Sequence, residues 1–150
     1  MPIPYRKIVV PLDESCLAEA AIAHAMYLAP LSGAEVLLLE VVPRVEDVVG
    51  PIQERISIDE QSDGLRARAA DYLAAVSRRE GWGSTRVRTA VETGNAAEII
   101  IGVAAREQAD LVAMSTHGLS GAQRWMLGSV AEKVVLAASM PVLLIRVHPR

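Results

Sequence analysis

Four short runs of aliphatic residues, and a fifth segment in which apolar and polar residues partly alternate, are separated along this chain by segments in which apolar residues recur at helical spacing. A continuous apolar run of a few residues is typical of a parallel strand buried on both faces, whereas recurrence every three or four residues indicates an amphipathic helix. The predicted strands cover residues 7–12, 35–42, 85–92, 110–114 and 141–147. This alternation predicts an α/β fold, a three-layer α/β/α sandwich around a five-stranded parallel sheet with right-handed crossovers.

Four helices are predicted between these strands. The first covers residues 16–29 and is ended by Pro30 and Gly33. Its apolar stripe consists of Leu17, Ala21, His24 and Leu28. The second helix is predicted over residues 65–76, the third from Asn95 onward and the fourth over residues 130–138. At the start of the third helix, Asn95 and Glu98 have the pattern of a capping box. Residues 43–63 are polar and have no sustained period, so we predict a long loop there.

Composition excludes several classes of protein. At 150 residues and 51% hydrophobic content, residues 1–150 are expected to form a single domain with a full core. A net charge of −3 and an aromatic fraction of 3% give neither a basic surface nor stacking platforms for nucleic acid. The apolar runs are far shorter than the roughly 20 residues of a membrane span. With no signal-peptide pattern and Cys16 as the single cysteine, a cytoplasmic location is expected.

The stretch from Met114 to Val130 has the pattern of a phosphate-binding segment. It leaves the fourth strand, passes through a glycine-bearing loop and enters a helix at Gly128 and Ser129. Ser129 followed by Glu132 predicts a capping box and hence a helix N-terminus. Free N–H groups and the helix dipole suit a phosphate there, and a glycine lets the backbone approach a ligand closely. The same residues are also fully explained by helix capping alone.

Ligands of open parallel sheets bind beyond the carboxyl ends of the strands, where the winding reverses. Pattern alone does not fix the strand order. With the order 3-2-1-4-5, which we predict, the reversal lies between strands one and four. Residues 11–15 and residues 115–129 would then face each other across a cleft.

Several segments resemble the universal stress protein family over nearly the whole chain. They are residues 7–15 (KIVVPLDES), Gly94 with Ala97 and Ile100, residues 115–118 (STHG), residues 127–134 (LGSVAEKV) and residues 141–146. The ATP-binding members are described by Gly, two residues, Gly, nine residues, Gly, then Ser or Thr. Gly118, Gly128 and Ser129 fit this pattern, but its first position is Ser115 instead of glycine.

The resemblance implies a Rossmann-like fold of the adenine nucleotide alpha hydrolase-like kind and an adenine nucleotide as ligand. ATP is favoured over ADP and AMP, with Mg²⁺ held, if at all, on the phosphates. The adenine side is implied to be Pro11, Asp13 and Val41, with Val42 as a neighbour that a register shift would substitute. The implied binding residues are Pro11, Leu12, Asp13, Ser15, Val41, Val42, Met114, Ser115, Thr116, His117, Gly118, Gly121, Leu127, Gly128, Ser129 and Val130. Ser115 would either crowd the ribose or form a hydrogen bond with it.

The resemblance also implies a homodimer, formed by antiparallel pairing of the last strand, Val142 to Val147, with its copy. Three functions stay open: a nucleotide-binding regulatory module, a family member that binds no nucleotide and acts through protein interaction, and a slow ATPase. The enzyme is the weakest of these, because no Ser-His-Asp order, P-loop or metal-ligand spacing is present. Asp13 also has a simpler interpretation, as a carboxylate that caps the first helix.

Overall fold

A computed structural model describes residues 4–45, 55–117 and 127–147, with side chains described from residue 59 onward in the second segment. The strands are β1 Lys7–Leu12, β2 Glu35–Val42, β3 Val87–Thr93, β4 Leu111–Ser115 and β5 Val142–Ile145. They form one parallel sheet in the order β3-β2-β1-β4-β5. The predicted strand order and the parallel sheet are confirmed, and the winding reverses between β1 and β4.

Helices cover both faces of this sheet. They are α1 Cys16–Ser32, α2 Arg55–Ser77, α3 Ala96–Arg106 and α4 Ser129–Ala137, with a 3-10 turn at Glu80–Trp82. One core lies between the sheet and α1, α2 and the buried Trp82, and the other lies between the sheet and α3 and α4. Alternate residues of the strands contribute to the two cores. Both cores consist almost entirely of Val, Leu, Ile and Ala. The three-layer sandwich is therefore confirmed.

The first helix is longer than predicted and presents a different face. It runs through Pro30 to Ser32, and Gly33 ends it in the left-handed conformation with φ of 70°. A proline in the last turn removes a single helical hydrogen bond, which a well-packed helix tolerates. The face packed on the sheet consists of Ala18, Ala21, Ile22, Ala25 and Ala29. His24, predicted in the apolar stripe, lies outside this packed face and is exposed.

The prediction of a long loop over residues 43–63 is wrong from residue 55 onward, because α2 begins at Arg55. Its first turns contain many polar residues, so that no apolar period shows where the helix begins. Residues 46–54 of this predicted loop lie outside the described residues. The capping prediction at Asn95 holds: its side-chain oxygen accepts the N–H of Glu98 at 3.2 Å.

Charged side chains gather at the amino ends of the strands, opposite the end where a ligand is expected. Lys7 donates to Glu107 at 2.9 Å, and Arg88 binds both Glu107 at 3.1 Å and Glu35 at 3.0 Å. The pKa of Glu107 is lowered, mainly by the hydrogen bond from Lys7. These cations are thus neutralised at the far end of the sheet. Within the described residues no helix is both long and apolar enough to cross a membrane.

Candidate functional site

A cleft of about 260 Å³ lies at the carboxyl ends of the central strands, where the winding reverses. This is the position at which open α/β sheets bind ligands. The residues that line it are Pro11, Leu12, Asp13, Ala18, Leu39, Val41, Ala96, Ile100, Met114, Ser115, Thr116, His117, Gly128, Ser129, Val130 and Ala131. The cleft therefore extends from β2 and α3, across β1 and β4, to the start of α4.

One end of the cleft is apolar. Leu39 and Val41 of β2 lie there with Ala96 and Ile100 of α3. Leu39 and Ile100 are buried members of the core between the sheet and α3. A flat apolar group would be desolvated between these aliphatic walls. Ligand pockets in proteins commonly bury apolar groups in this way.

The other end is formed by the N-terminus of α4. Gly128 is the N-cap, and no side chain of the described residues caps this helix end. The first helical hydrogen bond runs from the Glu132 N–H to the Gly128 carbonyl at 2.9 Å. The N–H groups of Ser129, Val130 and Ala131 precede that bond, and all three residues line the cleft. The helix thus presents the positive end of its dipole to the cleft.

The capping box predicted at Ser129 is wrong by one residue. Ser129 is the first residue of α4 and is exposed, while the residue before it occupies the cap position. Helix ends in which a glycine takes the N-cap position have no side-chain oxygen to identify them in a sequence. Because its hydroxyl does not cap the helix, Ser129 does not have the capping role that would explain it without a ligand.

Gly128 has a structural reason to be glycine. Its N–H donates to the Thr116 carbonyl at 2.8 Å. A Cβ atom on residue 128 would lie 2.7 Å from that same carbonyl oxygen, closer than real Cβ atoms come to backbone. The glycine is therefore required by the approach of two segments of the chain to each other, whether or not a ligand approaches it.

The turn after β4 is held by hydrogen bonds at each residue. The Ser115 hydroxyl donates to the His117 carbonyl. The Thr116 N–H donates to the Ile145 carbonyl of β5 at 3.0 Å, and the Thr116 hydroxyl lies 3.0 Å from Nδ1 of His117. Ser115 and Thr116 are only 6% and 4% exposed. This wall of the cleft is thus fixed to the edge strand on one side and to the start of α4 on the other.

The loop from β1 to α1 forms the wall that contains Asp13. Oδ1 of Asp13 accepts the Ser15 N–H at 3.1 Å and the Ser15 hydroxyl at 2.5 Å. The Ser15 oxygen in turn accepts the Ala18 N–H at 3.0 Å, so that Ser15 caps α1. Asp13 therefore does not cap the helix itself; its carboxylate holds the residue that does.

Glu14 connects this loop to α2. Its backbone is in the left-handed region with φ of 62°, which is uncommon for a residue with a side chain. Its carboxylate accepts two hydrogen bonds from Arg68, at 3.0 and 2.7 Å. Both hydrogen bonds end on Oε2 of Glu14, and they connect the loop beside the cleft to α2.

A buried carboxyl group, Glu40 of β2, lies behind this loop, paired in register with Leu12. It is 7% exposed, and its Oε2 has no hydrogen-bond partner within the described part of the chain. The pKa of Glu40 is raised to about 7, mainly by burial and also by the nearby Glu14 and Asp13 carboxylates, against the opposing effect of Arg68. Glu40 could not be identified from the sequence, because a lone Glu in an apolar strand carries no motif.

The structure gathers most of the implied binding residues in the cleft. Those that line it are Pro11, Leu12, Asp13, Val41, Met114, Ser115, Thr116, His117, Gly128, Ser129 and Val130. Ser15, Val42 and Leu127 are described but are not among the lining residues: Ser15 caps α1, and Val42 follows the alternation of β2 away from Val41. Gly118 and Gly121 lie outside the described residues.

Five lining residues were not predicted, namely Ala18, Leu39, Ala96, Ile100 and Ala131. Leu39 could have been predicted from the sequence, since it lies two residues before Val41 and hence on the same face of β2. The alanines and Ile100 carry no chemical signal of their own. No group of three His, Cys, Asp or Glu side chains in residues 4–45, 59–117 and 127–147 is arranged to hold a metal ion.

A doubly wound parallel sheet with a cleft at its switch point, apolar at one end and closed by a helix N-terminus at the other, defines a Rossmann-like α/β protein. Within that class, the chain belongs to the universal stress protein family, whose family model matches residues 4–146.

Individual relatives agree with this assignment. Universal stress protein MJ0531 of Methanocaldococcus jannaschii is 36% identical over 143 residues, which cover 95% of this chain and 82% of the relative. The solved structure of MJ0577, from the same organism, has a TM-score of 0.86 at 27% identity and covers 99% of this chain and 100% of its own. A universal stress protein from Archaeoglobus fulgidus, solved in complex with dAMP, has a TM-score of 0.60 at 20% identity, covering 95% of this chain and 98% of its own.

Proposed function

We propose that this protein is a stress-response binding module that takes up an adenine nucleotide, ATP in preference to ADP or AMP, in the cleft at the ends of β1 and β4. The observation that carries the proposal is the joining of two environments in one cleft. An apolar wall for a base lies at one end, and the N-terminus of α4 lies at the other. A nucleotide needs both environments in one cleft, and its sugar would lie over the ends of β1 and β4 between them.

The base would lie against Leu39, Val41 and Ile100, beside Pro11 and Asp13. The phosphates would accept hydrogen bonds from the N–H groups at the start of α4, and Mg²⁺ would arrive bound to those phosphates. That a relative of the same fold is solved with dAMP supports an adenine base in this class of cleft. The residues of the chain would bind and orient the nucleotide, and regulation would follow from whether the cleft is occupied.

The second candidate is a family member that acts through protein interaction without any nucleotide. It is favoured by Gly128, which packing against Thr116 explains without a ligand. The two functions are separated by denaturing the purified protein and analysing the supernatant by anion exchange at 260 nm, then titrating the protein with ATP and Mg²⁺ in a calorimeter. Bound adenine nucleotide or a saturable heat supports the first candidate. An empty supernatant and no heat support the second.

Ser129→Glu should weaken nucleotide binding in a protein that stays folded. A carboxylate in the first turn of a helix interacts favourably with the dipole, so the free energy of unfolding is expected to stay constant or rise by about 0.5 kcal/mol. The same charge would repel phosphates, and ATP affinity should fall about tenfold or more. Calorimetric titration measures the affinity, and urea unfolding measures the stability.

The matched control for this change is Ser84→Glu, which adds the same charge at an exposed turn before β3. It should leave ATP affinity within about twofold of the wild-type value. Equal affinities for ATP in the Ser129 variant and the wild type would contradict a phosphate site at the start of α4.

We also propose that the protein is a homodimer joined along β5. This strand lies at the edge of the sheet, and the sequence VLLI gives it no charged residue. Leu136 of α4, the helix that precedes β5 in the sequence, is 79% exposed. An apolar edge strand without charge or proline pairs readily with another strand, and a second copy about a two-fold axis is the commonest partner.

Leu144→Pro should convert this dimer to a monomer. The carbonyl of Pro141 accepts the N–H of Val112 in β4, and the carbonyl of Ile145 accepts the N–H of Thr116, the residue after β4. By alternation, the main-chain groups of Leu144 point away from β4, toward the free edge. Proline removes that outward N–H and leaves the β4 pairing in place. Sedimentation velocity reports the mass. Leu144→Ala, which keeps the N–H, should remain dimeric, and a dimeric Leu144→Pro protein would exclude pairing through this edge.

A further inference from the structure

The first position of the nucleotide-binding pattern contains Ser115 where glycine is usual, and the structure shows what this serine does. Along β4, Leu111 and Ala113 belong to the core on the α1 side of the sheet. Ser115 is next in that alternation, and its register partner Ile145 belongs to the same core. The Cβ of Ser115 is therefore directed to the α1 side rather than toward the apolar wall made by α3.

The hydroxyl of Ser115 is already engaged inside the protein. It donates its proton to the His117 carbonyl, and so closes the turn formed by Ser115, Thr116 and His117. A serine hydroxyl has one proton to donate, so this bond uses its whole donor capacity. Glycine at the same position would leave the His117 carbonyl without this partner.

The same turn sets the position of the α4 N-terminus. The carbonyl of Thr116, the middle residue of the turn, accepts the N–H of the N-cap residue Gly128 at 2.8 Å. Fixing the peptides on either side of Thr116 therefore fixes the point at which α4 begins. The N–H groups that would meet a phosphate lie in the first turn after that point.

We propose that Ser115 is a positioning residue for nucleotide binding: its hydroxyl holds the Thr116–His117 turn in the shape that aims the α4 N-terminus into the cleft. This inference rests on the proposed function and adds to it. The serine strengthens binding instead of obstructing the sugar, and it acts mainly on the phosphate end of the ligand.

Positioning and crowding predict opposite signs for the same substitutions. If Ser115 crowds the cleft, removing its atoms should tighten binding, with Ser115→Gly binding best and Ser115→Ala next. If it positions the turn, both variants should bind ATP about threefold to tenfold more weakly, the range expected for one hydrogen bond. Ala keeps the Cβ and removes only the hydroxyl, so an equal loss in Ala and Gly assigns the effect to the hydrogen bond.

The experiment titrates adenosine, AMP, ADP and ATP into wild type, Ser115→Ala and Ser115→Gly by calorimetry, with thermal unfolding of each free protein as a check of folding. Positioning predicts a loss that grows from adenosine to ATP, because adenosine does not reach the start of α4. A loss of equal size for adenosine and ATP would reflect only general loosening and would overturn the inference, as would tighter binding by Ser115→Gly. If the wild type itself binds none of the four ligands, the proposed function fails.

Discussion

Glu40→Gln is expected to stabilise the protein above pH 7 by about 3 kcal/mol and to remove most of the change in stability between pH 5 and pH 8. The carboxyl group is 7% exposed, one of its oxygens has no hydrogen-bond partner among the described residues, and two carboxylates lie nearby. Burial therefore raises its pKa in the folded protein to about 7 from the ordinary 4.5. The glutamine side chain has nearly the same shape and carries no charge.

The sign of this pH dependence follows from proton binding. Below pH 4.5 the group is protonated in both the folded and the unfolded chain and contributes no difference. Between pH 4.5 and about 7 the unfolded chain has lost the proton and the folded chain has kept it, so stability falls as pH rises. Above that range both states are ionised, and the loss is complete. Glutamine cannot lose a proton, so it avoids the loss.

Other carboxyl groups act in the opposite direction but outside this window. The pKa of Glu19 is lowered mainly by its hydrogen bond from Arg79, so its contribution to stability is lost as pH falls below the ordinary value. Urea unfolding of wild type and Glu40→Gln at pH 5, 6, 7 and 8 therefore isolates Glu40. Glu60→Gln, at an exposed position of α2, should follow the wild-type curve. Parallel curves for Glu40→Gln and wild type would show that Glu40 is ionised throughout.

Gly128→Ala is expected to lower the free energy of unfolding by about 2–3 kcal/mol. The new Cβ would lie 2.7 Å from the Thr116 carbonyl oxygen, and neither backbone segment can yield easily. Thr116 is tied to β5, and residue 128 is tied to Thr116 by its own N–H. Relief of the clash must therefore lengthen or break a buried backbone hydrogen bond.

Gly102→Ala provides the matched control for this prediction. Gly102 is in the middle of α3, is exposed, and a Cβ there meets no atom within 4 Å. Alanine is the better helix former, so this variant should gain about 0.5–1 kcal/mol. Both proteins are compared by urea unfolding monitored by circular dichroism. A Gly128→Ala protein as stable as the wild type would show that the α4 N-terminus moves freely relative to Thr116.

This result also bears on tests of nucleotide binding. A Gly128→Ala protein that fails to bind ATP would not separate loss of a ligand contact from loss of local structure. Ser129→Glu avoids the difficulty, because its side chain is exposed and acidic residues suit a helix N-terminus.

The sheet was predictable because its signal is repeated. Four of the five strands are short aliphatic runs, and β1 and β2 were predicted with their observed limits. With the strand order 3-2-1-4-5, the position of the cleft followed, since parallel strands place their carboxyl ends at one edge of the sheet. Pro11, Asp13 and Val41 lie in the cleft as the family resemblance implied.

The features that could not be predicted depend on packing and on contacts between residues far apart in the sequence. Alanine has little hydrophobic contrast, so the packed face of α1 was assigned one residue out of register, with His24 inside. The start of α2 has too many polar residues for its period to be read. Glu40 acquires its properties only from the burial and the two carboxylates that the fold brings near it. Gly128 is constrained by Thr116, twelve positions earlier in the numbering.

Thr116 occupies a junction whose consequence reaches beyond the cleft. It lines the cleft, its N–H holds β5 and its carbonyl holds the first residue before α4. A ligand that shifts this one residue changes the geometry of an edge strand and of a helix start together. Thermodynamic linkage makes such coupling reciprocal, so a partner that pulls on the β5 edge would alter affinity in the cleft by the same factor. A single buried threonine is thus in contact with both the proposed nucleotide cleft and the proposed dimer edge.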